Sequence, residues 1–141
     1  MTAQSTSTPN RLELSIREAM HVGVLTCSRD APLSVVAELM ARYGVHCVVV
    51  TDGPDDGAAL WGVVSDLDLV AAASVRDLGE QTAGATAATE ALTIAPDETL
   101  GRAAQLMTEH GAAHLVVVDP QTLRPVGVLS TLDLAAVLSA R

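Results

Sequence analysis

Residues 25–52 read LTCSRDAPLSVVAELMARYGVHCVVVTD, and residues 92–119 read LTIAPDETLGRAAQLMTEHGAAHLVVVD. Laid over one another at an offset of 67 positions, they share Leu25, Thr26, Asp30, Leu33, Ala37, Leu39, Met40, Gly44, Val49, Val50 and Asp52 with their counterparts. Further on, GVVSDLDLV (62–70) lies over GVLSTLDLA (127–135) at an offset of 65, so the first copy holds two more residues in the loop before Gly62. Matches interrupted by one small loop insertion are the mark of a duplicated structural unit.

Each copy implies the same order of elements. A short strand over 24–27 or 92–95 is followed by a polar turn. Then Leu33, Val36, Ala37 and Met40, or Leu100, Ala103, Ala104 and Met107, recur at i, i+3, i+4, i+7 and put one apolar face on a helix. Gly44 and Gly111 stand where a left-handed C-cap is wanted. Runs of β-branched and apolar residues at 48–50 and 115–118 read as buried strands. Turns rich in Asp, Gly and Pro lead to third strands over 60–64 and 126–129, and second helices begin near Asp66 and Thr131. The fold class expected is α/β of mixed α+β type: two βαββα units packed with pseudo-two-fold symmetry, since a unit of roughly 60 residues buries little surface alone. Along the chain this gives a disordered N-terminal tail at 1–11, a first unit at 12–75, a connector at 76–89 and a second unit at 90–141.

Working outward, 49% of the 141 residues are apolar, with one Trp, one Tyr and no Phe, so the core must come from Val, Leu, Ala and Met. The net charge is −9; all eight basic residues are Arg and none are clustered. Nucleic-acid binding needs clustered cations to displace phosphate counterions, so that class is set aside, as is an anionic membrane surface. No apolar run approaches the roughly 20 residues of a membrane span. The start, MTAQSTSTPN, lacks the charged and apolar regions of a secretory signal. Cys27 and Cys47 fall in apolar stretches and read as buried, unpaired thiols of a cytoplasmic protein.

The twin segments GVVSDLDL and GVLSTLDL carry the chemistry. Gly62 and Gly127 lie in strands, where a glycine lets another backbone approach. Ser65 and Ser130 end those strands, and Asp68 and Asp133 follow three residues later in the first helical turn. One reading is a capping box, the acid reaching back to the serine amide. The other uses the same geometry for a ligand: a helix N-terminus offers N–H groups to an anion, and a carboxylate beside it accepts ribose hydroxyls. Both stay open on the residues alone.

The element order, the helices ending in Gly, the strand runs closing in Asp (VVVTD, VVVD) and Gly-h-h-Ser-x-x-Asp-Leu, with h apolar, together resemble the CBS domain. The pair resembles a tandem CBS, or Bateman, module over about residues 14–141. The resemblance implies adenosine-containing ligands (AMP, ADP, ATP or S-adenosylmethionine) in composite clefts between the units, and a homodimer. By position, the first cleft would be Ser65 and Asp68 with Leu92, Ala112, Ala113 and His114. The second would be Ser130 and Asp133 with Met20, Leu25, Val45, His46 and Cys47. The aspartates would hold ribose hydroxyls, the serines would lie near phosphate, and backbone at Ala113 and Cys47 would read the adenine edge.

The chain departs from that family's pattern in places. Val49 and Val116 stand where Pro is usual, and Leu67 and Leu132 where a basic or hydroxyl residue often precedes the aspartate. Glu90 is expected near the first cleft. Polyphosphate without cations to pair it is expensive to bury, which favours AMP, adenosine or S-adenosylmethionine over ATP and ADP. His46 and His114 enter the second strands one residue out of register and read as half-buried and hydrogen-bonded to backbone; His21 is expected in a loop, and His110 at a helix end. No metal is implied, because no second ligand pair has a binding spacing. Trp61 is read as a surface or partner contact. No nucleophile stands on an elbow with a base beside it, and Asp66 and Asp68 face different ways, so no enzyme is implied and no cofactor is required.

Two functions follow. The first is a stand-alone nucleotide-binding regulatory module, sensing an adenosine-type ligand and acting on its own assembly or on a separate effector protein. The second is a ligand-free dimerisation or interaction scaffold, in which the Ser–Asp pairs are caps only.

Overall fold

The computed structural model describes residues 11–54, 58–87 and 92–139; the expectation for Glu90, and most of that for the 1–11 tail, lie outside them. In chain order the elements are β1 (His21–Val22), β2 (Thr26–Ser28), α1 (Leu33–Tyr43), β3 (Cys47–Thr51), β4 (Leu60–Ser65), α2 (Asp66–Ala73), α3 (Ala83–Thr86), β5 (Thr93–Ile94), α4 (Leu100–His110), β6 (His114–Val118), β7 (Pro125–Ser130) and α5 (Thr131–Ser139). The fold is mixed α+β, as the duplicated pattern implies. One sheet runs β2-β3-β4 and the other β1-β7-β6-β5. In both, the first repeat strand is parallel to its neighbour and the hairpin antiparallel, with a bulge after Val50 and after Val117.

Both long helices stop as expected. Gly44 (φ 64°) and Gly111 (φ 61°) take the left-handed conformation that side-chain-bearing residues resist, and each helix end closes on Met40 or Met107. Each buries its apolar stripe on its own sheet. Leu33, Val36 and Met40 meet Val48, Val50 and Val64; Leu100, Ala103 and Met107 meet Leu115, Val117 and Leu129. The two sheets then face each other through Val49, Val116 and Val118. Val49 and Val116 are repeat equivalents, so the pseudo-two-fold seam passes between them. Their amides donate to Leu25 O and Leu92 O, both at 3.0 Å, bonds a proline could not make.

The segments ahead of each repeat are exchanged. Ile16 N donates to Glu98 O at 2.8 Å, Arg17 N to Pro96 O at 3.0 Å, and Leu100 N to Leu14 O at 2.8 Å. Sixty-seven residues on, Ala83 N donates to Ala31 O at 2.8 Å, Gly84 N to Arg29 O at 2.8 Å, and Leu33 N to Gln81 O at 2.9 Å. Ile16 is fully buried in the second core and Ala83 in the first. Packing therefore does not follow the chain: residues preceding one repeat complete the other. This exchange is where Trp61 goes. Its Nε1 donates to Gly84 O at 3.0 Å, with the Arg29 guanidinium 4.7 Å from the ring centroid, so it clamps an intramolecular segment rather than waiting for a partner.

Candidate functional site

The helix starts behave identically in both halves. Ser65 N donates to Asp68 Oδ2 at 2.9 Å, and Asp68 N to Ser65 Oγ at 3.2 Å. Ser130 N donates to Asp133 Oδ2 at 2.7 Å, and Asp133 N to Ser130 Oγ at 3.1 Å. Both are complete capping boxes, worth about 0.5–2 kcal/mol each. Each strand-to-helix corner is tied to the facing strand entry: Asp66 N donates to His46 O at 2.9 Å and Thr131 N to Ala113 O at 3.0 Å. The corner and the segment expected to flank it thus form one rigid rim.

A cleft of about 460 Å³ opens between the halves. Leu25, Val45, His46, Cys47, Ser130 and Asp133 line it together, six of the seven residues assigned to the second cleft. The seventh, Met20, packs against the second core instead, with its Sδ 3.1 Å from where a Cβ on Gly127 would stand. His114, assigned to the first cleft, also lines this one, as do His21, Tyr43, Val24, Val128 and Leu132.

The other first-cleft residues are placed as follows. Ser65 and Asp68 form the cap of α2. Ala112 closes the end of α4, its amide on Met107 O at 3.0 Å, and Ala113 gives its carbonyl to Thr131. Leu92 packs against the second core. The link across the halves at this place is electrostatic, Asp66 and His114 each influencing the other's charge.

His110 ends α4 and His114 is half-buried, as expected, whereas His46 and His21 differ from their expected roles. His46 is exposed, and its Nδ1 meets the Asp66 carboxylate at 2.9 Å rather than backbone. That hydrogen bond is the main reason Asp66 sits below the usual carboxylate range. His114 is half-buried, and burial is the main reason its imidazole is pushed below its ordinary value of 6.5. His21 lies in β1, not a loop. Its Nε2 is 2.8 Å from Asp133 Oδ1. Reading the sequence missed His21 and Tyr43 as cleft residues. A two-residue strand has no periodicity to betray it, and Tyr43 was legible only as the last turn of α1.

Electrostatically the cleft is short of fixed positive charge: among its described lining residues the groups able to become cations are His21, His46 and His114. Cys47 lies on its wall, its thiol pushed up to about 11 by burial and then by Asp66. Cys27 is likewise raised to about 11 by burial, and both cysteines are free. Among the described residues no group of three or more His, Cys, Asp or Glu is arranged to hold a metal ion. No described helix is long and apolar enough to cross a membrane.

The sequence model of the CBS domain matches residues 16–75 and again 84–140. The CBS domain-containing protein YhcV of Bacillus subtilis (strain 168) is 29% identical over 123 residues, spanning 86% of this chain and 83% of YhcV. The CBS domain pair of protein MJ0100, solved in complex with 5′-methylthioadenosine and S-adenosyl-L-methionine, superimposes with a TM-score of 0.80 at 16% identity, covering 89% of this chain and 100% of that one. An uncharacterized conserved protein from Pyrococcus horikoshii gives 0.80 at 17% identity, covering 92% and 96%. At such identities the structural likeness speaks for the fold alone.

Proposed function

The chain belongs to the CBS domain family, and on that premise we propose that it is a regulatory module that senses an adenosine-type ligand in the 460 Å³ cleft between its halves. One observation carries the reading: Asp133, at a helix start, and the strand entry 45–47 of the other repeat line the same cleft. A carboxylate there would accept the two ribose hydroxyls, and the backbone of Val45 to Cys47 would meet the adenine edge. The volume lies within the roughly 300–1,000 Å³ of small-molecule sites. With histidines as its cationic groups, the cleft suits adenosine, AMP, 5′-methylthioadenosine or S-adenosylmethionine better than ADP or ATP. That MJ0100 binds two such adenosine derivatives supports the ligand class.

The ligand would act by binding one state of the assembly more tightly than another. That assembly is proposed to be a homodimer formed through α2 and α5, whose Leu67, Val70, Leu132 and Leu138 are exposed. A separate effector protein would read it. The setting proposed is the cytoplasm, where free Cys27 and Cys47 stay reduced. Catalysis is not part of the reading.

The test is calorimetry and thermal shift with adenosine, 5′-methylthioadenosine, S-adenosylmethionine, AMP, ADP and ATP. A ligand at a hundred times its Kd stabilises by about 2.7 kcal/mol. Asp133→Ala should abolish that gain while losing about 1 kcal/mol of cap energy. A second reading, a ligand-free scaffold, is favoured by the complete capping boxes, which already satisfy both Ser–Asp pairs internally. It holds if no member of the panel stabilises the protein at millimolar concentration.

A further inference from the structure

We propose that His21 is a built-in competitor for the ligand at Asp133, and that a ligand in the cleft is thereby coupled to the docking of the exchanged N-terminal segment. The inference rests on the ligand reading given above.

Asp133 has two carboxylate oxygens. Oδ2 accepts the Ser130 amide at 2.7 Å, and Oδ1 lies 2.8 Å from His21 Nε2, an ion-pair contact when the imidazole is protonated. The side chain of Asp133 is 10% exposed and that of His21 is 77% exposed, so the imidazole lies on the solvent side of the carboxylate. The oxygen that the cap leaves over is the one His21 holds. A ribose diol arriving from the cleft must displace that imidazole to take both oxygens.

The backbone arrangement places His21 there. β1 pairs antiparallel with β7, His21 opposite Val128 and Val22 opposite Gly127, and Gly23 N donates to Val126 O at 3.2 Å. A Cβ on Gly127 would stand 2.6 Å from His21 O, so the approach requires glycine at that position. Just upstream, Ile16 anchors the segment in the second core. Among the described residues the contact is particular to this cleft. The repeat offset puts Ala88 at the position equivalent to His21, and alanine has no side-chain donor to offer Asp68.

The test compares wild type with His21→Ala and His21→Gln, titrating 5′-methylthioadenosine and adenosine by calorimetry and following amide hydrogen exchange at residues 21–23. Because an ion pair whose imidazole is solvent-exposed is weak, His21→Ala should bind about 1.5- to 5-fold more tightly, while His21→Gln, which keeps a donor, should stay closer to wild type. Ligand should speed exchange at Gly23 in wild type, and His21→Ala should show faster exchange before any ligand is added. Equal or weaker binding by His21→Ala overturns the competition alone. No binding by either protein overturns the ligand reading and the competition together. Unchanged exchange at 21–23 in both experiments overturns the coupling.

Discussion

Replacing Gly127 with alanine tests the exchanged segment and the cleft at once. The new methyl would stand 2.6 Å from His21 O and 3.1 Å from Met20 Sδ. Ordinary contacts begin near 3.5 Å, so the His21 carbonyl must withdraw by roughly 0.9 Å. The Met20 sulfur can swing aside; the carbonyl belongs to a strand and cannot move alone. Val22 opposite Gly127, His21 opposite Val128 and the Gly23–Val126 bond must loosen together. Overpacking of this kind costs about 1–3 kcal/mol, and loss of two or three backbone hydrogen bonds at about 1 kcal/mol each gives the same range. Chemical denaturation should show a midpoint lowered accordingly with an unchanged slope. Amide exchange should rise most at residues 21–23, and in β2, β3 and β4, which lie in the other sheet, by no more than the loss of global stability. An unchanged midpoint together with unchanged exchange at 21–23 would refute the placement of β1 against β7.

Other outcomes are as specific. Ile16→Ala removes a fully buried side chain from the second core and should cost about 2–5 kcal/mol by urea denaturation; a loss under 0.5 kcal/mol would mean the leader does not dock there. Burial raises both thiols to about 11 from 9.0, so at about pH 8 iodoacetamide should label native Cys27 and Cys47 more slowly than the unfolded chain, by about tenfold once the greater nucleophilicity of a higher-pKa thiolate is allowed for; equal labelling of native and unfolded protein would contradict their partial burial. His114 is held neutral chiefly by burial, with Asp66 and Asp133 opposing and His46 assisting. The unfolded chain therefore takes up the proton first, and the stability His114 contributes is full above 6.5 and lost as pH falls from there through its lowered native value. In His114→Gln the denaturation midpoint should fall less than in wild type between about pH 7.5 and pH 5.5; parallel curves would show that His114 titrates as if unfolded.

Much of this was legible in the residues because it rests on side-chain periodicity. The apolar stripes of α1 and α4, the glycines that end them and the Ser-x-x-Asp helix starts are each dictated by what one side chain must do. The exchange was not legible, for a physical reason. Residues 14–17 are LSIR and residues 81–84 are QTAG, with no identity between them. The bonds that pair them with the opposite repeat run backbone to backbone, through Ile16 and Arg17 in one case and Ala83 and Gly84 in the other, and the side-chain demands differ between the copies: Ile16 fills the second core, while at Gly84 a Cβ would stand 2.7 Å from Arg29 Cβ. Only the offset of 67, carried upstream of the visible repeat, points there. His46 escaped similarly: its partner Asp66 was noted for its facing, not for the residue it would meet.

The duplication makes the backbones equivalent and leaves the chemistry unequal, and that inequality bears on how such a module would signal. Ser65 and Asp68 repeat as Ser130 and Asp133 with hydrogen bonds matching to within 0.2 Å. Yet His21, Tyr43 and His46 have Ala88, His110 and Ala113 at the equivalent positions. A ligand that needed only the caps and the backbone would bind both places alike. One that must also displace an imidazole meets that demand at Asp133 only, so the two places would fill in sequence as ligand rises. The first repeat also reaches into the second through a single leader whose edge strand ends at the contested carboxylate. On that proposal, occupancy at Asp133 would have a mechanical path to Ile16 and the second core. Asp68 has no described side-chain contact of that kind, so filling the first place should leave the leader docked.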